Sequence, residues 1–140
     1  MRVIIALTLA LIFGSFLIGC SPKASKTLPA MPASAPVDID SLIGVWDVAL
    51  HFDATKPPSA TVLEIKAVEA GALTGSFYGT EFEIARTINF EGELRISFVT
   101  SDGSGPYASA ARLLPDGSLS GQTLSTGRSF LMAWSAQKQG

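Results

Sequence analysis

The chain has 140 residues, of which 47% are hydrophobic and 16% charged, and its formal net charge is −2. A chain of this length holds one domain, and its apolar content with so little charge excludes an intrinsically disordered protein. A single cysteine excludes an intramolecular disulfide, and a single histidine excludes a centre built on several imidazoles. A pI near 5.3 supplies no general basic field for nucleic acid. Nothing in this composition implies a cofactor.

The first segment is unlike the rest. Arg2 is its one charge, an apolar run extends from Val3 to Phe13, and small residues interrupt it at Gly14 and Ser15. A basic start, an apolar stretch and small residues form the layout of a secretory signal. Val3 to Gly19 offers 17 residues, whereas a spanning helix wants about 20 apolar residues.

Leu17-Ile18-Gly19-Cys20 ends this segment. It resembles the lipobox of bacterial lipoproteins, in which the cysteine thiol receives a diacylglyceryl group. The signal is then cut before the cysteine and the new amino terminus is acylated. The resemblance implies a signal peptide over 1–19 and a lipidated Cys20. With palmitate-class chains, several acyl groups anchor stably where one would be marginal. Ser21 in place of aspartate implies export to the outer membrane by the enterobacterial sorting rule. The other readings are an uncleaved amino-terminal anchor, or a plain signal with a chance cysteine.

From Ser21 to Val37 the chain carries Pro22, Pro29, Pro32 and Pro36 among alanines and serines, with Lys23 and Lys26. Proline removes backbone donors and favours extended chain, so residues 20–38 read as a lipidated cysteine followed by a tether. The folded domain is expected over 39–140. From Asp38 onward there are seven basic residues against all twelve acidic ones, a net charge of −5. That charge argues against nucleic acid as a partner.

In the domain, apolar residues recur with period two. Trp46, Val48, Leu50 and Phe52 alternate with polar or small residues, as do Leu63 and Ile65, then Leu73, Gly75 and Phe77. The pattern continues through Phe82 and Ile84, through Leu94, Ile96 and Phe98, and through Phe130, Met132 and Trp134. It is weaker over Tyr107–Leu114 and Leu119–Ser125. Turn signals separate the runs, among them Lys56-Pro57-Pro58, Gly79-Thr80, Asp102-Gly103 and Thr126-Gly127. No helical period appears after the signal. Eight consecutive strands with short turns are sequential antiparallel neighbours, which leaves an up-and-down barrel or a meander sandwich. Closure removes exposed edges, so the expected fold is all-β, an eight-stranded antiparallel up-and-down barrel.

The first strand begins Gly44-Val45-Trp46. Gly-x-Trp at the start of strand one resembles the lipocalin and wider calycin families, where the tryptophan closes one barrel end under a basic residue from the last strand. The resemblance implies that Lys138 covers Trp46. The family usually has arginine there, and the domain is shorter than a lipocalin and lacks the helix after the barrel.

Eight aromatic residues share the expected inward phase: Trp46, Phe52, Phe77, Phe82, Phe90, Phe98, Phe130 and Trp134. Strands six and seven are nearly all small residues, including Ala108–Ala111, Ser120 and Gly121. That wall either accommodates rings from opposite strands or leaves a pocket floored by Trp and Phe. Arg86 continues the inward phase of Phe82 and Ile84, which makes it an internal cation for a ligand carboxylate, unless a bulge near Ala85–Thr87 or a strand end brings it to water. The candidate ligand-binding residues are therefore Arg86, Trp46, Phe82 and Trp134. No nucleophile elbow, phosphate loop, metal set or other catalytic constellation is present, so the chain is not expected to be an enzyme. The expected function is a membrane-anchored envelope lipoprotein whose barrel binds a small apolar or amphipathic ligand. The alternative is a filled barrel that docks on an envelope protein as an interaction or inhibitor module.

Overall fold

The structure, a computed structural model, describes residues 37–140. The expected signal and Cys20 lie outside the described residues, as does the tether up to Pro36. Among the described residues, no helix is long and apolar enough to cross a membrane. The described chain opens with a 3-10 turn, Ile39–Leu42, whose first amides are capped by the Asp38 carboxylate accepting from the Asp40 N–H at 3.0 Å.

Nine β segments follow: β1 Gly44–His51, β2 Ser59–Glu69, β3 Ala72–Phe77, β4 Thr80–Glu81, β5 Ile84–Phe90, β6 Glu93–Asp102, β7 Gly105–Leu113, β8 Leu119–Ser125 and β9 Phe130–Lys138. The segments pair antiparallel along the chain, and β9 returns to β1 from Trp46↔Lys138 to His51↔Ala133. β4 and β5 are two pieces of one stave, so the fold is a closed eight-stranded antiparallel barrel. Closure is what the short turns dictate, because each strand finds its partner within a few residues and no edge is left to water.

Alternation sets the interior. Trp46, Leu50, Leu63, Ile65, Leu94 and Phe98 are each at most 1% exposed. Two irregularities shift the alternation. On β2 an extra residue at Lys66 separates the Ile65↔Gly75 pair from Ala67↔Thr74. On the fourth stave, β3 pairs Ser76↔Glu81 with β4 but Ala72↔Arg86 with β5, which inserts one residue between Phe82 and Arg86. One extra residue turns every later side chain to the opposite face.

This corrects the expected inward phase. Phe82 still packs inward against Phe98, with ring centroids 4.7 Å apart. Beyond it, Ala85 is the buried residue, and Arg86, Ile88 and Phe90 point outward. Phe90 is 47% exposed, and its ring lies under the Arg95 guanidinium at 5.2 Å. Phe52 also leaves the interior: it follows the last residue of β1 and stands at the barrel rim, 59% exposed.

Candidate functional site

The two barrel ends differ. At one end the Ile39–Leu42 turn plugs the opening: Leu42 is fully buried, and the Trp46 indole N–H donates to the Leu42 carbonyl at 3.0 Å. The β1–β9 register brings Lys138 beside Trp46, with its ammonium 5.7 Å from the ring centroid and donating to the Ser41 carbonyl at 2.9 Å. The Lys138 stem runs across Gly44, where a Cβ would stand 2.7 Å from its Cε. The glycine and tryptophan of Gly44-Val45-Trp46 thus serve one closure, with lysine as its cation.

The middle of the barrel is filled. Phe77 packs on Phe98 at 5.3 Å and on Trp134 at 5.4 Å between centroids. The Trp134 ring covers Gly121, where a Cβ would meet Cζ2 at 2.3 Å. The small-residue wall of β7 and β8 therefore makes room for this indole. The Trp134 N–H donates to the Thr123 hydroxyl at 3.1 Å, and that hydroxyl bonds the Ser109 hydroxyl at 2.8 Å. This chain gives the one polar group of the buried indole its partner. Thr123→Val leaves both the indole N–H and Ser109 without that hydroxyl, so urea unfolding is expected to show a loss of about 1–3 kcal/mol.

The other end is open. A cavity of about 310 Å³ lies there, because the turns after β1, β3, β6 and β8 all fall at the same end of an up-and-down barrel. Leu50, Phe52, Phe77, Phe130 and Met132 form its apolar side, with Phe52 and Phe130 edge to face at 6.0 Å on the rim. Thr100, Asp102, Tyr107 and Arg128 face them. Asp102 is fixed by its own turn: it accepts from the Ser104 amide at 2.7 Å, from the Ser104 hydroxyl, and from the Tyr107 hydroxyl at 3.0 Å. The Ser104 hydroxyl and amide hold the Asp102 carboxyl below its ordinary value, with smaller help from Tyr107 and the positive charge of Arg128. These bonds favour the ionised form, so their contribution is present above the ordinary carboxylate range and lost as the pH falls through the lowered value. The Arg128 backbone is tied to Ser125 at 3.2 Å, but its guanidinium makes no ion pair among the described residues. The cup thus sets a ring-lined wall against Arg128, the Asp102 carboxylate and several hydroxyls.

The residues singled out from sequence do not converge here. Trp46 belongs to the closed end, Trp134 and Phe82 to the filled interior, and Arg86 to the outer surface. Among the described residues, the Arg86 guanidinium donates to the carbonyl of its neighbour Ala85, at 2.8 Å. Arg128 escaped sequence reading because the alternation pattern carries no information about turns, and Tyr107 because the alternation is weak along β7. The signal was nonetheless available: in an up-and-down barrel every second turn shares an end, which groups Asp102-Gly103 with Thr126-Gly127. Among the described residues, no three of His, Cys, Asp and Glu gather as metal ligands.

The chain matches no known protein family, no curated protein and no solved structure.

Proposed function

We propose that this protein is a bacterial envelope lipoprotein, anchored to the outer membrane through Cys20, whose barrel binds a small amphipathic ligand in its open cup. It is a binding module and not an enzyme. The observation that carries the ligand reading is the cup itself, lined by Phe52, Phe77 and Phe130 together with Arg128, Asp102 and Tyr107. A volume of about 310 Å³ is near the lower end of small-molecule sites, and the filled interior leaves no room for a long chain. The ligand is therefore compact, with an apolar body against the rings and an acidic group toward Arg128. Leu17-Ile18-Gly19-Cys20 supports the anchor, and the Gly44-Trp46-Lys138 closure supports a calycin-like descent. The acidic barrel gives nucleic acid no place.

The filled interior favours a second reading, in which the cup grips an apolar side chain of an envelope protein and the barrel is an interaction or inhibitor module. Native mass spectrometry of the protein purified gently from a bacterial envelope tests both. The expected spectrum has an acylated amino terminus at Cys20 and a noncovalent added mass on the folded chain. Arg128→Ala is expected to weaken ligand retention about 10- to 100-fold, the loss of a hydrogen bond to a charged group. A bare mass together with a co-purifying protein replaces the ligand reading with the second. An unprocessed amino terminus overturns the anchor.

A further inference from the structure

The barrel exterior is not uniformly polar. The register of β5 to β9 aligns Ile84, Val99, Ala108, Leu124 and Leu131 in one row across five strands. These residues face outward, with Ile84 54%, Leu124 47% and Leu131 61% exposed. The next row toward the closed end is Arg86, Ser97, Ala110 and Gln122, and the one after it is Ile88, Arg95, Arg112 and Ser120. A barrel exterior is ordinarily convex. Here Ser97, Ala110 and Ser120 are too short to fill the surface, and a hollow of about 510 Å³ forms between Arg86, Arg95 and Arg112.

The charges of this hollow are unbalanced. Arg95 and Arg112 share one carboxylate, Glu93, at 2.9 and 3.8 Å. Arg86 makes no ion pair among the described residues. Three of the seven basic residues after the tether therefore gather on one face of a domain whose net charge is −5. Free phosphate would need the arginines but not the apolar row beside them. A bilayer surface uses both, since headgroup phosphates suit guanidinium forks and apolar side chains enter the interface.

We propose that the β5–β7 face of the barrel lies on an anionic phospholipid surface, with headgroup phosphates in the Arg86–Arg95–Arg112 hollow and Ile84, Val99 and Ala108 in the interface. The docking is independent of what the cup binds and of whether Cys20 is acylated.

The test uses the full chain in vesicles, with Cys20→Ser and a single fluorescent label at Ile84→Cys, beside the arginines, or at Val62→Cys on β2, across the barrel from β7. Bilayer-embedded quenchers are expected to dim the label at position 84 in vesicles containing phosphatidylglycerol. They should spare it in pure phosphatidylcholine, and spare the label at position 62 in both. Each arginine near an anionic surface favours docking about fivefold, so the Arg86→Ser/Arg112→Ser double variant should reduce the docked population roughly thirtyfold. Circular dichroism and thermal melting should stay unchanged in that variant, since both side chains are on the surface. Equal quenching at both positions, quenching without phosphatidylglycerol, or full quenching in the double variant overturns the proposal. A blue shift at position 84 that grows with protein concentration without vesicles also overturns it, and assigns the face to a second copy of the chain.

Discussion

Trp134→Ala is expected to destabilise the barrel by about 3–5 kcal/mol, the range for truncating a buried aromatic residue. The indole is 2% exposed, packs against both Phe77 and Phe98, and is hydrogen-bonded by Thr123. Its removal empties the centre of the barrel and strands the Thr123 hydroxyl. For a domain of about 100 residues the melting temperature should fall by roughly 15 °C or more. Denaturant unfolding followed by circular dichroism measures the loss. A companion cycle separates ring accommodation from a ligand wall. Gly121→Ala places a methyl 2.3 Å from the Trp134 ring, and overpacking of this kind costs about 1–3 kcal/mol. Combined with Trp134→Phe, which withdraws the outer ring of the indole, the pair should cost less than the sum of the single changes. A Trp134→Ala loss below about 1 kcal/mol, with additive behaviour in the cycle, would mean that the indole is not the packing centre.

Gly75→Ala has the next largest expected effect, about 2–5 kcal/mol, because strain and a backbone clash coincide. Gly75 has φ +155°, a conformation that side chains disfavour, and its Cβ would stand 1.9 Å from the Glu64 carbonyl oxygen. That oxygen belongs to the β2 backbone, which cannot retreat without opening the β2–β3 ladder at Ile65↔Gly75. On the other side the Phe82 ring lies 3.0 Å away, and the Phe82 amide donates to the Gly75 carbonyl at 2.9 Å. The glycine thus lets two strands and a ring meet where the fourth stave takes its extra residue. Unfolding in urea should show a lower midpoint. An unchanged midpoint would show that β2 moves freely at this point.

The barrel was legible in the chain because period-two alternation and short turns leave few arrangements for successive strands. That Lys138 lies beside Trp46 was legible for the same reason, since in a closed meander the last strand must end beside the first, and the resemblance of Gly44-Val45-Trp46 implied that the pair closes the barrel end. The fourth stave shows where that logic stops. After the inserted residue, β5 buries Ala85 and turns Thr87 inward, while Ile84, Ile88 and Phe90 face water. The outward face of this strand is more apolar than its inward face, so alternation read along the strand alone points the wrong way. The neighbour decides the register: Leu94, Ile96 and Phe98 of β6 own the interior, and pairing Thr87↔Ile96 and Ala85↔Phe98 forces the small residues of β5 in beside them. Arg86 follows to the outside.

The amino-acid pattern by itself thus determined the strand count and the antiparallel order, since these depend on local period and turn chemistry, while the closed end was implied by the resemblance carried by Gly44-Val45-Trp46. It left open whether the small residues of β7 and β8 line a pocket or seat a ring, and whether Arg86 faces the interior or water. Those depend on volumes and register summed across non-adjacent strands. The Trp134 ring over Gly121 and one extra residue before Arg86 settle them, and neither leaves a mark in the period of any single strand.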